Sequence, residues 1–594
     1  MSYKKLITTA NFSFTKNPVI FLGNWCLNYK NKEIWKEMNY EILKKKFFDT
    51  DNNLKINKDS KKIYEELLVE LAEELNKIHK INWPLKSWRL LLGPWLYRYV
   101  SSLNFRTELI LECQRQFANL NLEDRADTSE LNLASYDLED FSDKMLLHKY
   151  NKYLFCRIFD FINRNDNNET DRSINIKLIE KKEIKENKFS NLGNFILRIL
   201  ETTLCFKNNF VFYKIYVGSI FTVLNLCWKL KEVPFKYNVN EKRFYFDFNH
   251  IIRKNIFNKK DEELNINKKI IKYFLKEALP TIYLEGFQSM YNQVEKSFLP
   301  SRNIKFIYTC SLISDTLFKF WAAKKVSQGT KIVYGQHGGN TNFSKDNFKT
   351  EHELDISENF ISWGWESDNK KIKKGYCFSI LAKDNYKKIS NSKFLLVLPP
   401  AYHFHFYNKI SFFNELMNGQ KEHVLASTKM NFDFLNENKK LFNNLDVRLH
   451  PNDYRTETPF KPLLEKNFKE LSFDKSKKLL DSFKNYQLII FGYLEATPFL
   501  QCLALNKPCV VITPLDKDIF TEETKRFWEK FEKIGILETN TFNLNEKIQK
   551  LGGNINNWWY SDNIQKTIKE YTNTNAYKDN KSIDRISNIL SNIC

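Results

Sequence analysis

Three short stretches of this 594-residue chain carry residue types that handle phosphate or protons, and each directly follows an apolar run. The first, YGQHGGN at 334–340, sets His337 among Gly335, Gly338 and Gly339. Glycines permit positive backbone dihedrals and let a ligand come close to the main chain. With Gln336, Gly338 and Gly339 around it, His337 reads as part of a cleft loop. A neutral imidazole there can accept a proton from an attacking hydroxyl, and a protonated one can hold a phosphate. The plainer alternative is a turn whose histidine only satisfies local hydrogen bonds.

The second stretch is VRLHPND at 447–453, where Pro451 stops a strand and sends the His450 imidazole off the sheet edge. Arg448, with Arg455 nearby, makes this a possible phosphate clamp. The third is GYLEATPFLQ at 492–501. Pro498 suits the first position of a helix and Thr497 its N-cap, so the amides at that helix start are placed to hold phosphate oxygens. An ordinary strand-ending turn and an ordinary capped helix are the structural alternatives. Glycine-rich phosphate loops and dinucleotide fingerprints are missing, which disfavours ATP hydrolysis and redox chemistry. His403 and His405 lack a third ligand at metal-binding spacing, so no metal site is expected.

The surrounding pattern must position these residues. Apolar residues recur at three and four through 61–80, which predicts a helix. A second helical block at 87–103 contains Gly93-Pro94, where a bend or break is expected. Residues 19–22 read as a strand, and 120–300 as a mixed, mostly helical region with a polar break at 163–190. From 304 the rhythm becomes strand and helix in alternation. Strands are expected at 305–311, 331–339 and 358–365, then at 393–400, 444–451, 486–493 and 507–514. The fold expected is α/β with two Rossmann-type, doubly wound lobes. The N-terminal lobe (1–380) would carry a large helical insertion (about 120–300), and the C-terminal lobe (390–594) a terminal helix that returns across the lobes. Ligands of such sheets bind at the carboxyl ends of the strands, where all three stretches fall.

Bulk composition narrows the classes. A hydrophobic content of 42% supports packed cores and excludes wholesale disorder. The net charge of +21 is spread along the chain without a polybasic block, and no nucleic-acid motif accompanies it. Ten cysteines without a CxxC pair fit neither a disulfide scaffold nor a zinc knuckle. The start of the chain is too polar for a secretory signal. Residues 210–228 approach membrane-spanning length but contain Lys214 and a glycine. They read as a buried core helix, with interfacial contact and a spanning helix as weaker alternatives.

LITTA (6–10), FLGNWC (21–26), WRLLLGPWL (88–96), YGQHGGN (334–340), ISWGW (361–365), RLHPND (448–453) and the tryptophan pair at 558–559 occur in one order over almost the whole chain. Together they resemble a family of transferases found with bacterial O-antigen and surface-polysaccharide genes. More distantly, the plan is similar to GT-B glycosyltransferases, whose nucleotide-sugar donor lies mainly on the second lobe. The His450-Pro451 dipeptide is similar to one in bacterial sialyltransferases and capsule Kdo transferases, where its histidine contacts donor phosphate. Polyol-phosphate transferases of wall teichoic acid synthesis also carry HG and HP elements on this plan.

The resemblance implies a metal-independent glycosyltransferase without a cofactor. It would take a nucleotide-activated sugar and a glycan or lipid-linked glycan acceptor, in the cytoplasm, with peripheral contact at the inner membrane left open. It implies His450 and Thr497 on the donor phosphate and His337 at the inter-lobe cleft, with Arg448 added to the phosphate site from the residue pattern. His337 is then the expected general base, with Asp315, before the 316–329 helix, as its rival. One position departs from the family pattern: Gln501 stands where a glutamate is usual, so a ribose contact there would lack its charge. A polyol-phosphate transferase and a non-catalytic scaffold of glycan assembly are the alternative readings.

Overall fold

A computed structural model describes residues 4–27, 31–122, 133–163, 209–216, 220–232, 246, 248–256, 265–297, 299–300, 303–313 and 315–339. Beyond these it describes 341–380, 383–387, 392–399, 421–451, 453, 459–494, 497–515, 517–579 and 581–593. Three parallel sheets organise the chain. The first is formed by β1 (Lys4–Ile7), β2 (Val19–Phe21), β3 (Tyr40–Ile42) and β4 (Leu120–Asn121), in the order β3-β2-β1-β4. The second runs β5 (Phe210–Tyr213), β6 (Phe306–Thr309), β7 (Lys331–Gly335), β8 (Asn359–Ile361) and β9 (Ile372–Lys373), in chain order.

The third sheet holds β10 (Phe394–Val397), β11 (Leu445–Arg448), β12 (Ser472–Phe473), β13 (Leu488–Phe491), β14 (Cys509–Ile512) and β15 (Leu537–Glu538). Its order is β12-β11-β10-β13-β14-β15. The chain therefore winds outward twice from its centre, and the order reverses between β10 and β13. The expected α/β class is met. The strand expected at 19–22 is β2, but the four-stranded sheet that β1, β3 and β4 build around it is an addition, because those short strands carry little periodic signal.

The central strands are apolar because both faces are covered. In the third sheet Leu395, Val397, Ile489, Phe491 and Val511 join one core, while Phe394, Leu396, Leu488, Ile490 and Val510 join the other. In the second, Val211 and Tyr213 face the large N-terminal core, and Phe210 and Phe212 face the opposite side, as a two-residue period requires.

Two long helices, Thr50–His79 and Leu85–Gln116, lie between β3 and β4. The first starts on Asp49, whose side chain accepts from Asn52 N at 2.8 Å, and ends at Lys80 with φ 54°. The second passes through Pro94 without the expected break. An interior proline costs about 3 kcal/mol. Trp88, Leu90, Leu91, Leu92, Trp95 and Leu96 surround it, each at most 1% exposed. Burial stabilises by roughly 1.5–3 kcal/mol per large apolar side chain, so packing outweighs the lost hydrogen bond.

Residues 210–228 do not form one helix. They begin as β5, turn at Lys214 and Tyr216 with φ of 48° and 47°, and resume as the helix Ile220–Leu230. Apolar residues in a short buried strand and in a helix read alike by composition alone. Among the described residues no helix is long and apolar enough to cross a membrane.

The tail crosses back over the molecule. Ile564, Ile568 and Tyr571 of the helix Asp562–Asn575 pack into a core of the third sheet. Tyr577 then donates its N–H to Trp363 O and accepts from Cys377 N, both at 2.8 Å. The last helix, Ser582–Ile593, sets Ile586 and Leu590 against the outer face of the second sheet.

Candidate functional site

The loop after β7 is built around the Gln336 amide. Its Oε1 accepts from Trp363 N and from Trp365 Nε1, both at 2.8 Å, and its Nε2 donates to Gly338 O at 2.7 Å. The two tryptophans belong to the ISWGW stretch, so the two motifs form one hydrogen-bonded unit. A Cβ at Gly335 would lie 2.7 Å from Cys310 Sγ, and one at Gly339 only 2.0 Å from Leu500 Cδ1. Glycine is needed at both positions for close approach. Gln336, Gly338 and Gly339 are thus the packed floor of the loop, whereas His337 is only partly buried.

His337 meets the edge of the Tyr216 ring, with centroids 4.6 Å apart and planes at 83°. Burial pushes its pKa down to about 4, and the charges of Lys349 and Lys214 act in the same direction. The imidazole is therefore neutral at physiological pH. That form can accept a proton, as a weaker base than an ordinary histidine, and does not suit the cationic phosphate role.

Asp315 stands just before the helix Thr316–Ser327 but makes no side-chain cap to it. Its carboxylate pairs with the ammonium of Lys214. Burial and then Asp315 push the Tyr213 hydroxyl well above its ordinary range. Lys214, Asp315 and His337 come from the connections that follow three adjacent strands, β5, β6 and β7. A non-glycine residue with positive φ is uncommon, and here Lys214 and Tyr216 both adopt it beside the histidine.

Behind the loop lies the helix Phe348–Ile356. Lys349 Nζ stands 3.5 Å from Glu353 Oε1, and both side chains are buried. Burial pushes the Glu353 carboxyl up to about 7, while Lys349 pulls it back. Nearby, the Tyr334 hydroxyl accepts from Leu312 N at 3.1 Å.

On the third sheet, Thr497 opens the helix Thr497–Ala504 on the connection after β13, beside the reversal of strand order. Its Oγ1 accepts from Gly339 N at 3.3 Å, which joins the first and third motifs directly. Phe343 and Thr521 extend the contact: Thr521 N donates to Phe343 O at 2.9 Å, and Ser344 bridges Phe520.

Gln501 is buried, and its Nε2 donates to Ser379 Oγ at 2.8 Å. That bond engages the amide nitrogen of Gln501. Arg448 Nη1 reaches Asp474 Oδ2 at 2.7 Å and also Ser476 O, so its fork ties β11 to the connection after β12. His450 is half-buried at the end of β11, and burial lowers its pKa despite Asp453. Asp453 accepts from Phe460 N at 2.9 Å and Lys461 N at 3.2 Å, anchoring the turn. His403 and His405 lie outside the described residues. Among those described, no three His, Cys, Asp or Glu residues cluster as metal ligands would.

A family model described as "LIC12162 family transferase" matches residues 4–590. The chain belongs to the LIC12162 transferase family. No curated protein matches it. Among solved structures, an S. aureus MnaA–UDP co-structure is 13% identical, covering 52% of this chain and 81% of that one at a TM-score of 0.32. A trehalose-6-phosphate synthase structure is 9% identical, covering 52% and 78% at a TM-score of 0.29.

In this LIC12162-family chain, the His337 loop and the Thr497 helix start are brought together, while Arg448 is engaged by Asp474. By sequence Lys214 is only the charge that interrupts an apolar run, and Tyr216, Lys349 and Glu353 are not singled out. The i,i+4 spacing of Lys349 and Glu353 is the one available signal, and such pairs are ordinarily solvent-exposed.

Proposed function

We infer that this LIC12162-family transferase moves a sugar from a nucleotide-activated donor to a glycan acceptor of the surface-polysaccharide type. Residues 1–380 would serve the acceptor and residues 390–594 the donor. The observation that carries this reading is the 3.3 Å bond from Gly339 N to Thr497 Oγ1. It sets a strand-end loop bearing a neutral histidine against a helix start at a topological switch, where α/β sheets bind ligands.

In the reaction, the acceptor hydroxyl attacks the activated carbon of the donor, the bond to the phosphate oxygen breaks, and the hydroxyl proton leaves. His337, neutral and partly exposed, takes that proton. Asp315 is the weaker choice because Lys214 already neutralises it. The helix start at Thr497 and the His450 imidazole meet the charge that develops on the leaving phosphate. Arg448 supports His450 through its hold on Asp474.

The test is slow hydrolysis of a panel of nucleotide sugars by the purified protein, read as release of free nucleotide. One donor should be consumed selectively, and His450→Ala should abolish the release. Equal, trace release from every donor in both proteins would sink the reading.

A further inference from the structure

We propose that the loop at 475–478 is an anion site for a diphosphate group, with Arg448 holding the loop rather than touching the ligand. Its sequence, KSKK, sets three lysines in four residues. Lys475, Lys477 and Lys478 are exposed, and among the described residues none of their ammonium groups meets a carboxylate. The carboxylates on either side of the loop in the chain are already engaged. Asp474 takes Arg448 Nη1 on Oδ2 at 2.7 Å and Ser476 Oγ on Oδ1 at 2.8 Å, and Asp481 stands 3.7 Å from Lys383. Like charges crowded on one short loop repel one another, so the cluster is stabilised when an anion arrives.

The loop is fixed from below. Asp474 N donates to Val447 O at 3.0 Å, and the Arg448 fork reaches Ser476 O and, at 3.4 Å, Lys477 O. Arg448 thus spends its donors on the loop and leaves the lysine ammoniums to the solvent. β12 is the edge strand beside β11, so the loop follows the strand end next to the one that carries His450. Neighbouring strands lie about 5 Å apart. His450 is therefore one strand away, and Thr497, after β13, is three strands away. Open α/β sheets take ligands at this edge. Charge selects the occupant. The diphosphate of a nucleotide sugar carries two negative charges on adjacent phosphates, which several mobile ammoniums can share, whereas a single phosphodiester carries one.

The inference deepens the donor reading, since it names a nucleoside diphosphate as the donor class, and the test keeps the two apart. Calorimetry on the full-length protein compares inorganic pyrophosphate with phosphate, and UDP, GDP and ADP with their monophosphates. Pyrophosphate and one nucleoside diphosphate should bind at least about tenfold more tightly than their single-phosphate counterparts, and more weakly in high salt. Lys475→Gln, Lys477→Gln and Lys478→Gln together should remove that preference at an unchanged melting temperature. Arg448→Lys, which keeps the charge but loses the fork, should also weaken pyrophosphate binding. Glutamine at Lys296, Lys305 and Lys331, which are exposed and lie outside the third sheet, should leave it intact. Equal losses in the two triple variants would mean attraction by net charge and would overturn the proposal. So would wild-type protein that binds pyrophosphate no better than phosphate. A nucleotide that needs His450 but not the three lysines would sink this site and leave the donor reading standing. Pyrophosphate held by the lysines, with no preference among nucleotides, would uphold the site and count against that reading.

Discussion

Thr497 Oγ1 accepts a hydrogen bond from Gly339 N at 3.3 Å, and the Gly339 Cα faces Leu500 with no room for a methyl group. Two motifs 158 residues apart therefore meet at one point. Gly339→Ala should destabilise the protein by about 1–3 kcal/mol, since a Cβ 2.0 Å from a buried leucine must displace it. Chemical denaturation measures this, and a neutral result would mean the loop is not seated on the helix.

Gln336 offers a separate test of the loop. Gln336→Met keeps the volume but leaves Trp363 N–H and Trp365 Nε1–H without their acceptor. Burying unsatisfied donors costs about 1–3 kcal/mol each, so a loss of at least about 2 kcal/mol is expected. Donor turnover should fall as well, because His337 is the next residue. Wild-type stability would show that the two tryptophans find other partners.

The pH dependence of stability has opposing contributions. His337 and His352 are held down to about 4 and about 3 by burial, so each favours folding above its ordinary pKa. That contribution is lost as pH falls from the ordinary histidine value through those values. Glu353, pushed up to about 7, binds its proton more readily in the folded state. It therefore gains stability as pH falls from about 7 towards the ordinary carboxylate range, and offsets part of the histidine loss. Glu353→Gln should make the melting temperature drop more steeply between these limits. Parallel curves for the two proteins would show that Glu353 does not take up a proton there.

Arg448 is expected to act through the fold. Removing one member of a well-buried ion pair typically costs about 3–5 kcal/mol, and Arg448 and Asp474 are 12% and 5% exposed. Arg448→Ala and Asp474→Asn should each lower stability, and the double variant should lose less than the sum. Additive losses in that cycle would return Arg448 to the role of a free phosphate ligand.

The α/β class and the strands β2, β6, β7, β8, β10, β11, β13 and β14 are legible because buried parallel strands form dense apolar runs, as in KFIYTCS and YQLIIFGY. The motifs at strand ends, with His337, His450 and Thr497, are legible for the same reason. Other features depend on long-range packing. Helix continuity through Pro94 rests on six buried neighbours, and β5 is hidden in a run that composition cannot split into strand and helix. Gln501 and Arg448 carry groups suited to a ligand, yet Ser379 and Asp474, each distant in sequence, engage them. Nothing local announces such a partner.

The most direct test of the central claim is thermal stabilisation of the purified protein by CMP, CDP, UDP, GDP and ADP, repeated with Thr497→Val and His450→Ala. A ligand that binds only the folded state raises its apparent stability, by about 2.7 kcal/mol at a hundred times its Kd. The account predicts a selective rise with one nucleotide that both substitutions abolish. A rise that survives both substitutions, or none with any nucleotide at saturation, would contradict a donor site at these strand ends.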